Sequence, residues 1–430
     1  MPASSHVLDP IRVSFDDRRA VADAGLLLTG TLAGRLGLER SVDARVSRGY
    51  RPGRKFLTVV STLLAGGDCI DDVNLLQAGA TASILGHDTV AASTVGTWLR
   101  SLTFGHVRQL DAVCETALAR AWQAGAGPGD APMFIDIDST ICEVHGETKQ
   151  GAAYGYTRAL GPHPLLATRA DTGEILHSRM RKGSAGSGRC AQRFVRETIG
   201  RVRRAGATGT LTLRADAAFW SRKTIAACVD HGAQFSITVP RQPIITQAID
   251  QIDEDDWVDI AYTDGGTEQV AEACWDGWRL IVRRTRIDND PNLPTLFAGW
   301  RHHAFVTNRP GEAVDLDRDH RAHAVVELSI RDLKHGVGLN HCPSGQFNAN
   351  AAWLLATTLA HNLIRWTQLL GTIDITRLRN AKTFRRRLLT LPGRLTRSAR
   401  RWTLHLPSRW PWQHVFEDTL ERLRALPAPM

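Results

Sequence analysis

The sequence predicts an α/β protein with a helical N-terminal domain, a mixed sheet flanked by helices, and a β-rich insertion. Three observations lead there. Residues 1 to about 125 carry apolar residues at three- and four-residue spacing, the period of helices. The Gly/Pro stretch AGAGPGDAP, residues 124–132, then breaks the chain. Beyond it, strand-like and helix-like runs follow in the order three strands, helix, strand, helix, strand, which is a mixed α/β order.

In the helical part, LLLTGTLAGRLGL, FLTVVSTLLAGG and VRQLDAVCETALARAWQAG each read as an amphipathic helix. ASTVGTWLRSL, residues 92–102, is a short one that reads either as core or as the second helix of a helix-turn-helix. After the break, MFIDIDST is a strand, and YGYTRALGPHPLLATRADTGEILHSRMRKG gives two more around a DTG turn. RCAQRFVRETIGRVRRAG is a helix, TGTLTLRADAAF a strand ending at Asp216, SRKTIAACVDHG a helix and AQFSITVP a strand. Residues 241–300 open with the acidic QAIDQIDEDDWVDI. They place Trp257, Trp275, Trp278 and Trp300 among short strand-like runs, the expected insertion. HHAFVTNRP restores the α/β texture, and helices follow around residues 319–336 and 347–370. From Arg377 to Arg409 there are eleven Lys or Arg and no Asp or Glu, interleaved with Leu, Trp and Phe, as in packed helices presenting a cationic side. The expected domains are 1–130 (helical), 131–240 and 301–370 (two parts of one α/β domain), 241–300 (β-rich insertion) and 371–430 (basic tail).

The 430 residues are 43% hydrophobic and 23% charged, enough apolar material for large cores and too little charge for a disordered chain. The net charge of +9 suits a polyanionic partner. Seven scattered cysteines form no CxxC pair, which argues against a structural zinc site or a disulfide framework and for a reducing cytoplasm. The first residues lack a basic start followed by an apolar run, so no secretory signal is expected. The apolar stretches are short and broken, so no membrane span is expected either.

FIDIDST, residues 134–140, sets two acids into a strand that does not need them. Side chains alternate, so Phe134, Asp136 and Asp138 share one face and Ile135 and Ile137 the other. Asp216 ends the fourth strand in LRADAAF. Glu327 lies in HRAHAVVELSIRDLKHG, where Val326, Ile330, Leu333 and Val337 make an apolar stripe. Beside that stripe run His320, His323, Glu327, Arg331 and Lys334. Each carboxylate has an ordinary role open to it: Asp138 capping a turn, Asp216 capping the next helix, Glu327 pairing with Arg331. Their order, strand-Asp, strand-Asp, helix-Glu with cations trailing, points instead to one site at the carboxyl ends of adjacent strands. Two such charges ~4 Å apart repel by ~4 kcal/mol at an effective dielectric near 20. An oxygen-only set of this kind suits Mg²⁺ or Mn²⁺, and paired ions there promote in-line displacement at phosphorus. Neither GxSxG nor a P-loop is present.

DIDSTICEVHG, the YGYTRALGPHPLLATRADTGEIL region, LRADAAFW and HRAHAVVELSIRDLKHGVGLNHCPSGQFNANAAWLLATTLAHNLIRW, with RSARRWTLHLPSRWPW near the end, resemble the DDE transposases of bacterial insertion sequences, specifically the thirteen-eighty family. The resemblance implies an RNase H-like catalytic fold interrupted before the last acid. Asp138, Asp216 and Glu327 would be the three catalytic acids and metal ligands, with two Mg²⁺ or Mn²⁺ ions. It matches Arg331 and Lys334 to phosphate-binding cations that follow the Glu in the related four-family group. That group has Tyr and Arg before the Glu, where this chain has His320 and His323. In neighbouring families an insertion tryptophan stacks on a flipped base. Asp136 is either a supporting group behind the metal site or a mere neighbour. Arg385, Arg386, Arg400 and Arg401, with His323, complete the expected DNA contacts.

The expected function is thus a cytoplasmic DNA transposase that cuts and joins element ends, a homodimer on paired DNA ends. Two alternatives are an RNase H-like nuclease without strand transfer and a catalytically silent DNA-binding protein.

Overall fold

The structure, a computed structural model, describes residues 11–155, 158–261, 267–287, 299–371 and 378–428. Tyr156 and Thr157 of the YGYTR stretch, and Arg377 at the head of the basic run, lie outside them. The strands β1 (Met133–Ser139), β2 (Leu165–Arg169), β3 (Ile175–Arg179), β4 (Leu211–Ala215), β5 (Gln234–Thr238), β6 (Val258–Ile260), β7 (Glu268–Trp275), β8 (Trp278–Arg286) and β9 (Trp300–Thr307) make one sheet. Its order is β3-β2-β1-β4-β5-β9-β8-β7-β6. The first five strands run 3-2-1-4-5. β2 is antiparallel to β1 and β3 to β2, while β4 is parallel to β1 and β5 to β4. This is the RNase H-like arrangement. Ile135 and Ile137 are buried on one face of β1, as alternation requires.

Parallel neighbours need crossovers. Among the helices α1 (Leu26–Arg35), α2 (Leu38–Arg45), α3 (Pro52–Ala65), α4 (Ala92–Arg100), α5 (Phe104–Ala121), α6 (Ala191–Ala205) and α7 (Arg222–Val229), the last two supply them. The β-rich insertion expected at 241–300 takes the form of extra strands on the same sheet. β9 runs antiparallel beside β5 and carries β8, β7 and β6 outward. Val270, Ile281 and Phe305 on these strands form a small core with Leu316.

The helical N-terminal part shares its core with the sheet. After α8 (Pro243–Asp250), α9 (Ala313–Arg321) and α10 (Val325–Gly336) comes α11 (Phe347–Gly371), a 25-residue helix buried on almost every side. It packs against α1, α3, α5 and β3, so its all-round apolarity reflects burial, not a membrane span. No described helix is long and apolar enough to cross a membrane. In α4, Val95, Trp98 and Leu99 are buried, and Trp98 Nε1 donates to the Arg48 carbonyl, which makes this helix core.

The single helix expected over 319–336 is broken. A 3₁₀ turn, Ala322–Ala324, separates α9 from α10. The two segments bury different faces. Leu316, Asp317 and His320 turn toward β8 and β9, whereas Val326, Ile330, Leu333 and Val337 pack as the stripe foresaw. The tail holds α12 (Ala381–Phe384), the hairpin β10 (Gly393–Ser398) and β11 (Arg401–His405), and α13 (Gln413–Ala425).

Candidate active site

Asp138 and Asp216 are neighbours by strand register. β1 and β4 run parallel with Ile137 opposite Ala215, so the next residue of each chain is an aspartate. Adjacent strands lie ~4.8 Å apart, which sets the two carboxylates side by side at the carboxyl edge of the sheet. Asp216 also accepts from the Ala218 N–H at 3.0 Å, capping the turn that follows. α10 packs on β1 and carries Glu327, exposed, in its first turn. Burial pushes the Asp138 carboxyl up to about 6. The Ser139 N–H, donating at 2.6 Å, works against this, Asp216 adds to it, His323 opposes it and Glu327 adds again. Asp138 therefore feels both other carboxylates, although the oxygens of the three do not all lie within 4.8 Å of one another. Three carboxylates without thiol or imidazole are a hard donor set, which fits Mg²⁺ or Mn²⁺.

Asp136 is fully buried two residues earlier. Arg214 Nε and Nη2 donate to its two oxygens at 2.7 and 2.8 Å. Arg214 also reaches the Asp319 carbonyl, and its guanidinium lies over the Phe134 ring. His323 Nδ1 meets Asp136 Oδ1 at 3.0 Å, so His323 is tied to a carboxylate rather than free for phosphate. His320 is buried as well. Its two nitrogens meet Ser236 and Thr238 hydroxyls at 2.8 and 2.9 Å, and its ring stacks on Phe305.

A cavity of about 710 Å³ opens beside Ser139 and Thr140. Lys149, Lys334 and the rings of His145, His163, His335 and His341 line it, with Glu143 the one acid among the described residues there. The wall is thus suited to a phosphate backbone. The sequence reading missed His163, which sits in GPHP. Its Nδ1–H donates to the Ala185 carbonyl, and its Nε2 meets the Ser139 hydroxyl at 2.9 Å, bracing the residue after Asp138. Arg331 points elsewhere, exposed, into a second cavity of about 590 Å³ with Val325, Leu328 and Lys382.

The chain matches the family model described as transposase DDE domain, group 1, over residues 4–428. It belongs to that family. No curated protein matches the chain. Among solved structures it is similar to a piggyBac transposase synaptic complex with hairpin DNA, at 13% identity and a TM-score of 0.46, over 86% of this chain and 80% of that one.

The tryptophans of this transposase's insertion strands all have partners. Trp257 and Trp300 hold the Arg284 guanidinium at 4.1 and 4.3 Å from their ring centres. Trp275 meets Trp220, and Trp278 lies edge-on to Phe235. The basic tail divides. Arg386, Arg400 and Arg401 are exposed. Arg385 turns inward and donates to the Leu63, Leu64 and Gly336 carbonyls. That capping role departs from the DNA contact expected of it; the carbonyls left open at the ends of α3 and α10 claim the guanidinium.

Proposed function

We propose that this transposase cleaves DNA at the ends of an insertion sequence of the thirteen-eighty family and joins them to target DNA. The reaction is a phosphoryl transfer at Asp138, Asp216 and Glu327. The observation that carries the proposal is the side-by-side register of Asp138 and Asp216, with Glu327 near enough to disfavour the Asp138 charge. These oxygens would hold Mg²⁺ or Mn²⁺, two ions in the full reaction. Such ions supply charge neutralisation for the attacking and leaving oxygens of an in-line displacement. The protein's share is positioning. His163 braces Ser139 behind Asp138, Asp136 orients His323, and Lys334 and Lys149 line the path for a DNA strand. Exposed Arg386, Arg400 and Arg401 hold duplex phosphates. Cutting and joining two ends calls for a homodimer on paired ends, in the cytoplasm at the nucleoid.

The test is a joining assay with a pre-cut end bearing a free 3′-hydroxyl. Joined product is expected from wild-type protein, and Asp138→Asn, Asp216→Asn and Glu327→Gln should abolish it while DNA binding is kept. Cleavage without joining would favour the nuclease. DNA binding by wild-type protein without cleavage or joining would favour the silent DNA-binding protein. Inverted repeats with short direct duplications around the coding region would support the insertion-sequence assignment.

A further inference from the structure

We infer that the tip of the β10–β11 hairpin is a stacking site for an unpaired DNA base, an inference that rests on the DNA-transposase reading above. The chain has twelve tryptophans, all at described positions, and Trp402 alone is exposed. It leaves 60% of its surface in water. Its cross-strand partner is Arg397, whose guanidinium lies over the indole at 5.3 Å from the ring centre. The hairpin is anchored at its base, where Leu395 is buried and β10 pairs with the short strand Ala20–Val21. At the far end the chain turns through Ala399, which takes a left-handed φ of 54°. Arg397, Arg400 and Arg401 are exposed around that turn, and neither Arg400 nor Arg401 has an ion-pair partner among the described residues. No Asp or Glu occurs from residue 378 to 416.

An indole held on one side by a guanidinium and open to solvent matches the π-face of a nucleobase, with arginines placed for the flanking phosphates. A base shows that face only when it is out of the duplex stack. The ligand is therefore a DNA strand with unpaired nucleotides, as at a frayed or nicked end. Blunt duplex would engage the arginines and leave the indole unused.

Binding of the full chain to a blunt duplex and to a forked duplex of the same sequence, at one fixed salt concentration, tests this. The fork should bind about fivefold to a hundredfold tighter, the range that ~1–3 kcal/mol of stacking per base corresponds to. Trp402→Ala should erase the preference and leave blunt-duplex affinity unchanged, which also shows the variant is folded. Trp402→Phe should keep much of it. Arg400→Ala with Arg401→Ala should weaken both DNAs alike. Equal binding of fork and duplex by wild-type protein, or a parallel loss on both in Trp402→Ala, overturns the stacking site and leaves the transposase reading standing. Absence of binding to either DNA overturns both.

Discussion

Asp136 and Arg214 meet through two hydrogen bonds inside the sheet, while Asp138, on the same face of β1, has no arginine partner among the described residues. Two acids two residues apart thus do opposite things. One is neutralised by the fold and holds β1 to β4. The other is left poorly solvated and short of a counter-charge, which is where a cation has most to gain.

The first prediction separates them by stability. Asp136→Asn strips the carboxylate charge from a buried guanidinium and should cost about 3 kcal/mol, the usual penalty for breaking a buried pair. Asp138→Asn removes a charge that burial already disfavours, so its melting temperature should be unchanged or slightly higher. Thermal unfolding of both variants without metal checks this. Equal losses would mean that Asp138 is also a structural ion-pair member.

Glu174 gives a pH signature. It is buried, with Trp122 Nε1 donating to it at 2.5 Å, and burial pushes its carboxyl up to about 7 from the ordinary glutamate value of 4.5. A folded-state pKa above the unfolded value means the folded chain holds the proton more tightly. That contribution is complete below pH 4.5 and is lost as pH rises through about 7. The difference is worth up to about 3 kcal/mol. Glu174→Gln should therefore gain stability relative to wild type between pH 5 and pH 8. A gap between the two melting curves that is the same at both pH values would show that Glu174 is ionised throughout.

The paired acids at strand ends were legible because Asp138 and Asp216 interrupt patterns that otherwise need only apolar residues. So was the apolar stripe from Val326 to Val337, which depends on helical spacing alone. The role of Asp136 was not, since Arg214 lies 78 positions away and only register brings them together. The break at Ala322–Ala324 was equally hidden. It is set by where His320 finds Ser236 and Thr238, not by any Gly or Pro in the segment. Nor does a run such as RRR reveal which arginine turns inward. Composition counts charges, and the open carbonyls of distant helix ends choose among them.

Arg385 and Arg386 make that last point testable. Arg385 donates to carbonyls at the ends of both α3 and α10, and α10 carries Glu327. Arg385→Ala leaves those buried acceptors unmet and should lower stability by about 2 kcal/mol or more. Arg386→Ala should leave the melting temperature alone, weaken duplex binding, and reduce the salt slope of that binding by about one. A stability loss in Arg386→Ala, or none in Arg385→Ala, would reverse the assignment.

The last prediction concerns where a divalent cation binds. Two acidic groups compete for it. Asp68, Cys69 and Asp72 have their ligand atoms within 4.8 Å of one another, closer than Asp138, Asp216 and Glu327 of the candidate site. Proximity alone would favour them. Their contacts do not: Asp72 Oδ2 accepts from the Asp68 and Cys69 N–H groups, and Asp68 pairs with His341 at 2.9 Å. Asp68 and Asp72 are thus offset by His341 and by two backbone N–H groups, whereas Asp138, which also accepts from a backbone N–H, is still repelled by Asp216 and Glu327. Millimolar Mn²⁺ should therefore raise the melting temperature of the DNA-free protein, and a chelator should reverse it. A concentration of 100 times the dissociation constant corresponds to ~2.7 kcal/mol. The shift should vanish in Asp216→Asn and persist in Asp68→Asn. The opposite pattern would place the cation at the N-terminal cluster and remove the electrostatic argument for a metal at Asp138.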